Sequence, residues 1–196
     1  MQASGFALPR LCLRVRNCGI PLNMNLTQED NMAAATENAE DTLLRNQLVE
    51  LLRGGSAHAD LDTCLDKMPA KLYGSKPKGA SHSVWQLLEH LRFTLHDLLV
   101  FSTDSHYIAP KWPDDYWPAE EAPESQEEWK RSLKAMKADM AEFEKMVQNP
   151  ATNLYAKIPW GEGQTLLREV LLAADHNSYH LGQIVMLRKQ LDAWEG

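Results

Sequence analysis

At 196 residues the chain has room for one domain with a real core, and its 44% hydrophobic and 24% charged residues exclude wholesale disorder and fibrous repeats, predicting a folded, soluble protein. The net charge of -7 supplies no basic stripe for phosphate backbones, which argues against DNA or RNA as a partner. No apolar run approaches the ~20 residues of a membrane helix, and three cysteines, Cys12, Cys18 and Cys64, form no CxxC pair, which argues against a disulfide framework and for a reducing, cytoplasmic compartment.

Residues 1–33 read as a leader outside the fold. Arg10, Arg14 and Arg16 interrupt every candidate apolar core of a signal peptide, and Met24 or Met32 could each serve as a start. Residues 34–196 read as a single domain. The first helix is predicted from about Glu37 to Arg53, with Leu44, Leu48, Leu51 and Leu52 inward and Gly54-Gly55 as the stop. A short helical turn around Leu61 to Met68 follows, and then a loop marked by Pro69, Gly74, Pro77 and Gly79.

The second helix opens on Ser83 and Gln86, a capping box, and carries an apolar arc from Val84 through Leu87, Leu88, Leu91, Leu95, Leu98 and Leu99. The third opens on Ser125 and Glu128, again the pattern of a capping box, and its stripe of Trp129, Leu133, Met136, Met140, Phe143 and Val147 ends at Asn149-Pro150. The fourth is predicted from about Thr165 to Trp194, with Leu166, Leu167, Val170, Ala174, Leu181, Ile184 and Val185 inward. No segment alternates convincingly enough for a strand. The expected fold is therefore all-α, a four-helix bundle with long loops between helices two and three and between helices three and four.

Both long loops are aromatic, and Trp112, Tyr116, Trp117 and Trp160 are candidates to wall a pocket, with packing onto the bundle as the alternative. In the fourth helix, His176 and His180 stand one turn apart at the edge of the apolar arc, where two imidazoles can converge on one ion. In the second helix His90 lies just outside the corresponding edge, whereas His96 projects to solvent. Three imidazoles from two helices would leave coordination positions open, as a catalytic site requires. Hydrogen-bonded packing at a core margin is the other reading of the same spacing. Glu169 falls on the strip of His176, and it and Asp175 are candidates to orient the imidazoles. The chain has no ExxH pair, HExxH, GxSxG, P-loop or GxGxxG, which removes the usual di-iron, zinc-peptidase, hydrolase, NTP and dinucleotide readings.

The segments HSVWQLLEHLRF and LLREVLLAADHNSYHLGQIVMLRKQL, with RNQLVELLRGG and the Trp/Pro loop, resemble the DinB/YfiT-like family of small metal-dependent four-helix-bundle proteins over about Glu37 to Trp194. The resemblance implies that His90, His176 and His180 ligate a divalent metal ion, zinc or nickel. It also implies an enzyme of the transferase or isomerase class that uses a low-molecular-weight thiol, and a homodimer; a hydrolase acting on a small molecule is the other expected reaction class. No thiol-binding signature accompanies it. The competing expectation is a non-catalytic helical binding or stress-response module with a structural metal or none.

Overall fold

A computed structural model describes residues 25–195 of the chain. Most of the expected leader, including Cys12, Cys18 and Met24, lies outside the described residues. Among the described residues five α-helices occur in the order α1 (Asn25–Arg53), α2 (Leu61–Leu65), α3 (Val84–Thr103), α4 (Gln126–Gln148) and α5 (Leu166–Gln190). Among the described residues the structure is all-helical, with one isolated antiparallel bridge between Lys157 and Thr165.

By its internal contacts the chain divides into two units, 1–39 and 40–196. In the first, α1 begins well before the expected Glu37. Residues 30–40 are exposed at every position, so no apolar stripe announces this part of the helix. Its alanines and the lack of Gly or Pro account for it through intrinsic propensity. In the second unit, Leu48, Val49 and Leu52 of α1 are buried, whereas Leu51, expected inward, is 48% exposed. The helix stops at Gly54 and Gly55, whose φ angles of 71° and 85° are left-handed and suit glycine.

The cap signals act as the sequence indicates, with one difference. Ser83 Oγ accepts from Gln86 N–H and Gln86 Oε1 accepts from Ser83 N–H, both at 3.1 Å, completing the box at α3. At α4 only half of the box forms: Ser125 accepts from Glu128 N–H at 3.2 Å, but the Glu128 carboxylate takes the N–H of Glu124 instead. Thr165 caps α5, and Asp60 caps the short α2. α5 ends at Gln190, short of Trp194, because Arg188 Nε turns back to the carbonyl of Ala193 at 2.8 Å and its guanidinium lies over the Trp194 ring.

Helix α3 packs against both α4 and α5, and α2 packs against α5. The core they enclose includes Leu87, Leu88, Leu91, Leu95, Met136, Phe143 and Ile184, each contributing about 1.5–3 kcal/mol through burial. Cys64 is buried in it as a free thiol, and burial pushes its pKa up to about 11, which leaves it inert.

Two buried arginines tie the pieces together. Arg45 of α1 donates to the carbonyls of Val147, Asn149 and Thr152 at 2.6, 3.0 and 2.8 Å, satisfying groups at the C-terminal end of α4 that no helix bond can reach. Arg188 does the same for Thr63 and Cys64 at the end of α2. Replacing Arg45 by Met strands three carbonyls and should cost about 3 kcal/mol. The expected loss of melting temperature, measured by circular dichroism, is roughly 6–12 °C; no change would show that the clamp is ornamental.

Candidate metal centre

Helix α3 carries His90 and helix α5 carries His176 and His180, and the two helices pack with these faces together. One ligand-type atom from each imidazole lies within 4.8 Å of those of the other two. His90 Nε2 and His176 Nε2 are 3.0 Å apart. Bonds of about 2.1 Å from one ion would set neighbouring nitrogens roughly 3–3.5 Å apart, so the pair has the right separation to share a cation. His90 is 2% and His180 7% exposed, and His176 is half-buried.

The far ring nitrogens are tied in place. His90 Nδ1 is 2.8 Å from the carbonyl of Tyr116. A carbonyl only accepts, so Nδ1 carries the proton and Nε2 offers its lone pair. His180 Nδ1 is 3.0 Å from Gln183 Oε1, which assigns the same tautomer to that ring. With no ion bound, His176 Nε2–H can donate to His90 Nε2; transfer of that proton to His176 Nδ1, the other neutral tautomer, frees both Nε2 lone pairs for a cation.

Burial, and after it the mutual repulsion of the rings, keeps the imidazoles neutral. Desolvation lowers His90 to about 4 against its bond to Tyr116, and lowers His176 to about 3 with help from His180 and His90. His180 is lowered as well, mainly by desolvation. Neutral imidazole is the ligand form. The donor set therefore fits a divalent transition ion: three soft-to-borderline nitrogens, uncharged at neutral pH, presented at one point.

An aromatic wall stands over His90. Trp117 stacks on His90 with ring centroids 3.8 Å apart and on His82 at 3.9 Å, so the indole lies between two imidazoles. Tyr116 contributes its carbonyl, while its hydroxyl donates to Asp97 of α3 at 2.7 Å. Tyr107 donates to the other Asp97 oxygen at 2.9 Å, so one carboxylate anchors the α3–α4 loop (residues 104–125) at two points. Burial is the first cause that raises the two phenols, Tyr107 to about 12, and Asp97 adds to it in both.

The other expected residues sit further out. Trp112 is 67% exposed and meets Tyr116 edge-on; Trp160 is 37% exposed and donates to the carbonyl of Phe101. Glu169 is buried and paired with Arg168 at 2.7 Å, and its charge reaches Tyr107. Asp175 is exposed. The acceptors observed at the imidazoles are instead Tyr116 O and Gln183 Oε1. Gln183 had a signal, since it stands at i+3 from His180 on one helix. A backbone carbonyl has none. His82, which directly precedes the Ser83 cap of α3, stacks on Trp117. His96 faces outward as expected, 55% exposed at its side chain beside Asp139.

A helical protein with three convergent imidazoles on two packed helices is a candidate metalloprotein. The family model described as the DinB superfamily matches residues 55–184, a span that contains all three histidines, and the chain belongs to that superfamily. Comparisons with curated proteins and with solved structures find no match.

The lowered pKa values set the pH response of the metal-free chain. Unfolded histidine takes up a proton near pH 6.5, whereas folded His90 and His176 stay neutral until about 4 and about 3. Between those limits the unfolded state binds more protons, so stability falls as pH falls from about 6.5 toward about 4. Urea unfolding of chelator-treated protein should show this slope, and His90→Gln should flatten it; equal slopes in both would mean that the rings are not desolvated.

Proposed function

We propose that the chain is a metal-dependent enzyme in which His90, His176 and His180 hold a divalent cation, zinc or nickel. The observation that carries this reading is the pinning of His90 and His180 through Nδ1, which leaves their Nε2 lone pairs for a common ion. The residues matched by the superfamily support it. Three protein ligands, rather than four, leave room for a reactant, and an enzyme needs that room.

In this reading α1, α3, α4 and α5 form a four-helix bundle, and its α3–α4 loop, held by Asp97, closes one side of the centre. The bound cation supplies Lewis-acid chemistry, which makes a nucleophile of water or of a thiol at neutral pH. The chain's own residues then have defined tasks. Tyr116 O and Gln183 fix the orientation of two ligands, and Trp117 shields His90 from water. The reaction class is transfer to or from a low-molecular-weight thiol, or hydrolysis of a small molecule, in a cytoplasmic homodimer.

Elemental analysis of the full-length protein tests the centre. About one zinc or nickel ion per chain is expected in the wild type and in His96→Ala, and at least a roughly tenfold loss in His176→Ala, with helicity kept. Protein that is metal-free and takes up neither ion would overturn the proposal and make the histidines packing residues of a binding module. Thiol-dependent turnover that vanishes with the metal would separate transferase from hydrolase.

A further inference from the structure

A cleft of about 570 Å³ runs along α5 between that helix and residues 78–82, the approach to α3. None of the three imidazoles lines it, but three of its wall residues touch the centre. Gln183 accepts from His180 Nδ1 at 3.0 Å, Tyr179 stands edge-on to the His180 ring at 4.8 Å, and His82 stacks on the same Trp117 that covers His90.

Gly182 forms part of this wall, in the interior of α5. Glycine is the least favourable helix-interior residue after proline, so a reason for it is needed. Packing does not provide one, because a Cβ built at Gly182 meets nothing within 4 Å. The backbone does not either, since its φ is not among the left-handed ones. What a side chain at this position would do is fill the cleft.

The lining also departs from the chain's charge. The sequence has 27 acidic residues against 20 lysines and arginines, yet among the described residues no carboxylate lines the cleft. Residues with donor groups line it: Lys78 with its ammonium, Tyr179 with its hydroxyl and Gln183, whose amide oxygen is engaged by His180. Leu87, Met186 and Leu187 give it an apolar side.

We propose that this cleft binds a small organic anion, with its apolar body on Met186 and the two leucines and its charged oxygens on Lys78 and Gln183, and that Gly182 keeps the space open. That the anion is the substrate of the adjoining centre rests on the enzyme reading above; that it binds here does not.

The test uses two fluorescent probes on the full-length protein, the anion 8-anilinonaphthalene-1-sulfonate and the uncharged N-phenyl-1-naphthylamine, with metal content measured on the same samples. A saturable site for the anion is expected, weakened roughly tenfold or more by Gly182→Leu and by Lys78→Glu. The uncharged probe should be weakened by Gly182→Leu alone. Gly182→Leu should melt no lower than the wild type, since it meets no neighbour and leucine favours helix. Anion affinity unchanged in Gly182→Leu, or unchanged in Lys78→Glu, overturns the proposal. So does a wild-type dimer that Gly182→Leu turns into monomer, which would make Tyr179, Gly182 and Met186 a contact between copies. Wild type that is metal-free and takes up neither zinc nor nickel, with the expected probe pattern, would overturn the enzyme reading and leave this one standing.

Discussion

The hydrogen bond from His90 Nδ1 to the carbonyl of Tyr116 is the contact on which the centre depends. A buried imidazole without a partner would cost several kcal/mol, and here the partner comes from a loop rather than a helix. That loop has to be held, and Asp97, two turns further along α3 than His90, holds it through the hydroxyls of Tyr107 and Tyr116. One face of α3 thus carries both a candidate ligand and the anchor of the loop that orients it. The same bond fixes the tautomer, so that folding and the readiness to bind an ion are one event.

A polar stripe runs along the α3–α5 interface in matching steps. His90 and Asp97 are seven residues apart on α3, and Glu169 and His176 are seven apart on α5. Seven residues are nearly two full turns, so each pair shares a face. His90 meets His176, and Leu87 shares a cleft with Gln183 and Leu187 further along α5, so the two helices run in opposite senses with imidazole level with imidazole. A layer of this kind weakens a core that leucines would otherwise fill. The fully buried leucines of α3 and residues such as Met136, Phe143 and Ile184 offset that weakness.

What the sequence made legible follows from the kind of signal each feature emits. Capping boxes and 3.6-residue periodicity place α3, α4 and α5, because caps and apolar faces are written in side chains. The early start of α1 carries no such signal, since residues 30–40 are exposed at every position. At the centre, the i,i+4 spacing of His176 and His180 and the edge position of His90 could be read, and the structure brings these three together. Their orienting groups could not be read equally well: Tyr116 acts through its backbone, and Gln183 looks like any polar residue on a helix. Arg45 and Arg188 look like surface charges until the carbonyl ends they serve are packed against them.

The orienting groups also bear on what the centre could attract. Both are neutral, a carbonyl and an amide, where a carboxylate would have passed negative charge through the ring to the ion. Three uncharged imidazoles with uncharged partners would leave a dication its full charge, in a site from which burial has removed much of the screening water. A chain of net charge -7 would then hold a local region of positive potential, next to a cleft that no carboxylate lines among the described residues. An anion entering that cleft would be drawn toward the centre by the ion and excluded from most of the remaining surface by like charge. On the proposed reading, selectivity for an anionic reactant would follow from where carboxylates are missing as much as from where Lys78 stands.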